Sequence, residues 1–149
     1  MADHARRGVR IALVVSRYNE FVTDPLRDAA LETLVEAGVP RENVRVHAVP
    51  GAYEIPQAAA AVASAGGVDA LVCIGCVIRG ATPHFEYISS AVAHGVTTAS
   101  IRTGVPMAFG VLTTNSVEEA LERSAPGPAN KGREAALAAL EMAALFRSL

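Results

Sequence analysis

Four short segments hold the side chains best suited to chemistry: "SRYNEF" (16–21), "PGAYEIP" (50–56), "VIRGATPH" (77–84) and "TTN" (113–115). They supply an aromatic face (Tyr18), a carboxylate (Glu54), amides freed by glycine (Gly51, Gly80), a hydroxyl (Thr82) and an imidazole (His84). An imidazole changes charge near neutral pH unaided, so His84 is either a satisfied histidine or a proton carrier. Gly80-Ala81-Thr82 reads either as a turn and cap or as a nest of N–H groups that, with a helix dipole, would hold phosphate. Glu54 either offsets the dipole of a helix it opens or accepts from a ligand. Tyr18 either packs or stacks. Two cations lie further on. Arg123 falls in a last helical turn, where the dipole already favours it, whereas Lys131 falls at a helix start, where positive charge is disfavoured unless an anion or polar ligand meets it.

Cys73 and Cys76 form a C-x-x-C, the spacing of a redox pair or half a zinc site. A structural reading is stronger, because Cys73 lies inside the apolar run "ALVCIG", no second cysteine pair exists, and a reactive pair is expected at a helix start. No metal is expected, and two free thiols suit a reducing cytoplasm.

The elements that must position these groups follow from periodicity. Branched apolar runs predict strands at Arg10–Val15, Val44–Val49, Ala70–Gly75 and Met107–Leu112. Asp24-Pro25 predicts a helix start, with Leu26, Ala29, Ala30, Leu34 and Ala37 on one face and Gly38 as its stop. Further helices are expected over Ile55–Ala65, His84 to about His94, and onward from the capping-box pattern at Ser116-Val117-Glu118-Glu119. The last should run from Lys131 to Phe146, burying Leu137, Leu140, Met142 and Leu145. Strands alternating with helices argue for right-handed βαβ units and a parallel sheet covered on both faces. The layout is α/β and flavodoxin-like: a three-layer sandwich around a central four-stranded parallel sheet. Ligands of such sheets bind beyond the carboxyl ends of the strands at a switch in strand order, where the four segments can meet.

Length and composition bound the rest. The 149 residues, 51% of them hydrophobic, suit a short N-terminal segment (1–9) followed by one compact domain (10–149). A formal net charge of −2 without a basic run gives no nucleic-acid footprint. Arg6-Arg7 does not read as an export signal, since Arg10 breaks the apolar run behind it, and no stretch is long enough to span a bilayer.

Taken in order, "VVSRYNEF", "VPGAYEIPQAA", "GCVIRGATPHFEY", "GVPMAFGVLTTN", "EEALERS" and "NKGREAALAALEMA" resemble the 6,7-dimethyl-8-ribityllumazine synthases, over nearly everything after Val9. "PGAYEIP" with "VIRGATPH" is the specific combination. The resemblance implies condensation of 5-amino-6-ribitylaminouracil with 3,4-dihydroxy-2-butanone 4-phosphate, the penultimate step of riboflavin synthesis, without cofactor or metal. By matching position it implies that Tyr18 stacks on the pyrimidine and that Ala52, Tyr53 and Glu54 receive the ribityl chain. Val77 and Ile78 would flank the ring, Ala81 and Thr82 would form the phosphate turn, and His84 would transfer protons. Phe109, Arg123 and Lys131 would be delivered from an adjacent subunit, Arg123 to the phosphate, while Arg79 would hold the turn. It further implies a homopentamer with shared sites, a 60-subunit shell in many members, and association with riboflavin synthase. The segment before the first core strand, which many relatives add to a neighbour's sheet, is short or absent here. The rival reading is a shell or flavin-binding relative that has lost turnover.

Overall fold

The computed structural model describes residues 6–149. Four strands, β1 (Ile11–Ser16), β2 (Val44–Val49), β3 (Ala70–Ile78) and β4 (Met107–Thr114), form one parallel sheet in the order β2-β1-β3-β4. Five α-helices alternate with them: α1 (Glu20–Glu36), α2 (Ile55–Ala65), α3 (His84–Thr103), α4 (Val117–Ser124) and α5 (Lys131–Ser148). This is the expected flavodoxin-like sandwich. The period-2 alternation of a strand sorts β1 into two cores. Ile11, Leu13 and Val15 pack with α1, α4 and α5, while Ala12 and Val14 pack with α2 and α3. Cover is incomplete at one edge, where Arg45, Val46 and Ala48 of β2 are exposed.

Several boundaries differ from the sequence reading. α1 begins a full turn before Pro25, because the Val22 and Thr23 N–H groups donate to the Asn19 carbonyl at 2.9 and 3.0 Å. Pro25 therefore lies inside the helix, where it forfeits one backbone hydrogen bond, and burial of Val22 and Leu26 outweighs that loss. Asp24 caps nothing and pairs with Arg27 at 3.2 Å. β3 and β4 run on to Ile78 and Thr114, since their mutual ladder continues through Cys76↔Leu112 and Ile78↔Thr114. α3 does not stop near His94 but continues to Thr103, ending at Gly104 with φ 71°. Gly95 is no terminator: a Cβ there would lie 2.6 Å from Pro56 Cβ, so the residue marks the close crossing of α2 and α3. β2 and α2 have the expected bounds. Of the capping box the serine half forms, while the glutamate reaches one residue past the cap. Ser116 Oγ accepts from the Glu119 N–H at 3.2 Å, while Glu119 Oε1 accepts from the Asn115 N–H at 2.7 Å. At the N-terminus, residues 1–5 of the expected 1–9 segment lie outside the described residues, and Arg6–Gly8 form a turn into Val9.

α5 departs furthest from expectation. Leu140 is buried, but Leu137, Met142 and Leu145 are between 41 and 48% exposed. The helix turns Gly132, Ala135, Ala136, Ala139 and Ala143 inward instead. Small side chains let α5 sit close to α1, and a Cβ on Gly132 would come within 2.1 Å of the Leu26 carbonyl oxygen. Contact that close favours small side chains over most of the inner face, with Leu140 the large exception, and Leu137, Met142 and Leu145 point outward.

The two cysteines sit three apart on β3 and therefore face opposite sides of the sheet, Cys76 toward α1 and α5, Cys73 toward α2 and α3. Both are free and buried. Burial pushes the Cys73 thiol up to about 12 and the Cys76 thiol up to about 11, from an ordinary 9.0. A disulfide or shared metal would need both sulfurs on one side. Among the described residues no group of three or more His, Cys, Asp or Glu side chains is placed to hold a metal ion.

Two outcomes follow from the packing. Gly132→Ala should lower unfolding free energy by about 3 kcal/mol or more, read as a drop in urea midpoint, because the clash is with rigid backbone. The thiols bind protons more tightly folded than unfolded, so their contribution is complete below pH 9 and is lost as pH rises through 11 to 12. Urea midpoints measured from pH 8 upward should fall, and Cys73→Ala should make that fall shallower than in the wild type.

Candidate active site

The order β2-β1-β3-β4 reverses direction between β1 and β3, and a cleft of about 560 Å³ opens at the carboxyl ends of those two strands. Its walls include Tyr18, Asn19, Ala52, Tyr53, Glu54, Val77, Ile78 and His84. Beyond Ser16 the chain leaves β3 and follows β2: the Arg17 N–H donates to the Val49 carbonyl at 2.8 Å and the Tyr18 N–H to Pro50 at 3.1 Å. Tyr18 consequently stands at the rim, 72% exposed, with Tyr53 across from it at 61%. A 3-10 turn over Ala52–Glu54, closed by the Glu54 N–H on the Gly51 carbonyl at 3.2 Å, leads into α2 and holds the Glu54 carboxylate over the cleft. Val77 and Ile78, expected in a turn, are the half-buried last residues of β3.

His84 is the exposed first residue of α3. Ahead of it, Ala81 and Thr82 lie exposed in the bend, just outside the cleft wall. The cap position is Pro83, and no side chain caps the helix, so Thr82 does not play the capping role that sequence left open. The bend is braced by Arg79. Its Nε donates to Asn115 Oδ1 at 2.8 Å, its terminal nitrogen donates to Glu86 Oε1, and its guanidinium lies 4.5 Å from the Phe85 ring centre. That hydrogen bond holds the Glu86 carboxyl below its ordinary value. Arg79 thus ties β3, α3 and the loop after β4 together, as expected of it.

The remaining candidates lie elsewhere on the chain. Phe109, Arg123 and Lys131 line a second cleft of about 410 Å³, with no residue shared with the first. Phe109, 36% exposed, stands on the edge strand β4. Arg123 donates to the Glu119 carbonyl one turn back at 3.3 Å. Lys131, which sequence left with an unexplained position, has a partner in its own helix, Glu134 at 3.1 Å. Both cations are spaced by Asn130, which sequence reasoning passed over. Its Oδ1 accepts from the Gly132 and Arg133 N–H groups at 2.8 and 3.1 Å, and its Nδ2 donates to the Ser124 and Ala125 carbonyls at 2.9 and 3.1 Å. An asparagine just ahead of a helix start was the available signal. Asn19 was also passed over; its signal was weaker, an asparagine able to adopt a left-handed turn.

The first cleft joins an aromatic face, a carboxylate, strand-end backbone and an imidazole, groups able to stack on a flat polar molecule and to move a proton. The second holds two cations and an aromatic ring, suited to an anionic group. The first lacks the two cations of the second, and the second lacks the imidazole of the first.

Comparison with known proteins agrees in length and position. Residues 8–147 match the family model described as 6,7-dimethyl-8-ribityllumazine synthase. A protein of Syntrophus aciditrophicus (strain SB) named 6,7-dimethyl-8-ribityllumazine synthase is 46% identical over 143 residues, covering 96% of this chain and 93% of the relative. The chain belongs to the 6,7-dimethyl-8-ribityllumazine synthase family.

Proposed function

We propose that the chain condenses 5-amino-6-ribitylaminouracil with 3,4-dihydroxy-2-butanone 4-phosphate to give 6,7-dimethyl-8-ribityllumazine, phosphate and water. Family membership across almost the whole chain carries the reading. The cleft between β1 and β3 supports it, because Tyr18, Glu54, Val77, Ile78 and His84 all border one space. In this reading Tyr18 stacks on the pyrimidine, Ala52, Tyr53 and Glu54 receive the ribityl hydroxyls, and the backbone of Val77 and Ile78 meets the ring. Ala81 and Thr82 hold the phosphate at the uncapped start of α3. The amine attacks the ketone and loses water to form an imine; phosphate is then eliminated, and ring closure with loss of a second water completes the lumazine. His84 moves protons in these steps. The substrates bring their own electrophile and leaving group, so the protein's contribution is orientation and proton transfer.

Arg123, Lys131 and Phe109 complete the site from a neighbouring copy, Arg123 on the phosphate. The support is that the two clefts are complementary and separate within one chain. A ring of head-to-tail contacts completes every site. The exposed Leu137, Met142 and Leu145 of α5 are apolar surface of the kind such contacts cover. A homopentamer in the cytoplasm is the assembly proposed, with closure into a 60-subunit shell and association with riboflavin synthase as larger forms that native mass measurement reads directly.

The reading is tested by mixing purified protein with both substrates: lumazine absorbance and phosphate release above the spontaneous rate are expected, and an unaccelerated reaction would refute it. Arg123→Ala should raise the KM for the butanone phosphate and lower kcat/KM by about a hundredfold, the loss of a charge-assisted contact. His84→Ala should slow turnover by about ten- to a hundredfold while leaving pyrimidine affinity nearly intact, because the substrates also react unaided. Loss of pyrimidine binding in the His84 variant would overturn its assignment as proton carrier.

A further inference from the structure

The β1–β3 ladder stops at Val15↔Ile74, while β3 continues beside β4 to Ile78↔Thr114. Backbone groups along β3 alternate in direction. The Leu71 N–H donates to Pro106 and the Arg79 N–H to Thr114, so odd-numbered positions face β4 and the Cys76 and Ile78 backbone faces the side β1 has left. One of those groups has a substitute partner: Asn19 Nδ2 donates to the Cys76 carbonyl at 3.0 Å.

Asn19 is unusual in two further respects. Its φ of 66° and ψ of 47° make it the one non-glycine residue at positive φ among the described residues. It occupies the N-cap position of α1, yet its side chain makes no capping hydrogen bond. Asparagine at an N-cap ordinarily gives its oxygen to the helix. Here a strained backbone conformation instead carries the carboxamide across the gap to β3, on the wall of the cleft.

We propose that Asn19 is a positioning residue. Its carboxamide replaces the missing rung between β1 and β3, fixing the width of the crevice and leaving the Ile78 backbone free for the planar substrate. The role rests on the proposed function only for the identity of that substrate. Closing the gap by ordinary pairing would satisfy the same carbonyl but erase the crevice; the side chain satisfies it at a longer reach.

Three variants separate the side chain from the backbone it strains. Asn19→Gly keeps the left-handed turn and removes the donor. It should raise the KM for 5-amino-6-ribitylaminouracil about tenfold, equivalent to about 1.4 kcal/mol, with the KM for the butanone phosphate changed by less than about twofold. Asn19→Asp keeps the tolerance for positive φ but sets a carboxylate against the Cys76 carbonyl, and should be worse than glycine. Asn19→Ala should lose both turn and rung and be less stable than either. Wild-type kinetics in Asn19→Gly would overturn the proposal by assigning the residue to the turn alone, as would an equal rise in both KM values. A crystal structure of Asn19→Gly gives a readout independent of turnover. The end of β3 should shift toward β1 and narrow the cleft, and an unmoved Cys76 carbonyl would refute the role. A wild-type protein without turnover would sink the proposed reaction, while this crystallographic comparison would still decide the role of Asn19.

Discussion

The pairing of β1 with β3 is the contact on which the rest of the molecule hangs. Both strands are central, hydrogen-bonded on each side, and covered by helices above and below, so their residues from Ile11 to Val15 and from Ala70 to Cys76 are almost wholly buried. A strand in that position can carry little chemistry along its length, because every polar group there would be desolvated. Reactive side chains are pushed to the ends, and at the carboxyl ends the two strands part company. β1 feeds α1 on one face and β3 feeds α3 on the other. The parting opens a crevice between them, and the loops it displaces bring Tyr18, Glu54 and His84 to a common border.

Small residues set the second constraint. Alanine and glycine on α5 bring it against α1, and Gly95 on α3 brings it against Pro56 of α2. Helices this close leave the sandwich thin, and the bulkier apolar residues of α5 emerge on its outer side. The second cleft lies at the edge strand β4, where the four hydrogen bonds of Asn130 tie the end of α4 to the start of α5 and so set the spacing of Arg123 and Lys131.

The cations on the two sides are held differently. Arg79 is committed on three sides, to a carboxylate, an amide and an aromatic ring, and acts as a brace. Among the described residues the Arg123 and Lys131 side chains each make one hydrogen bond, at 3.3 and 3.1 Å, near solvent. Exposed contacts of that kind are worth little, about 0 to 1 kcal/mol, so both side chains can change partner at small cost.

Much of this was written in the chain. Alternating branched runs and helical periods specified the order of elements, the parallel sheet and the edge at which chemistry had to occur, because periodicity and burial are local properties of sequence. Motif order identified the family, and the Ser116 cap could be read from four residues. Other features depended on distances between segments far apart in the chain. The Asn19 side chain reaches Cys76, 57 residues away, and Gly95 inside α3 leaves room for Pro56 of α2, neither of which the local pattern shows. The inward face of α5 holds Leu140 as expected but not Leu137, Met142 or Leu145, because helical period tells which residues share a stripe but not how near the neighbouring helix stands. A side chain added at Gly132 would meet the Leu26 carbonyl at 2.1 Å, so small residues dominate the inner stripe beside Leu140, and only the folded chain sets that distance.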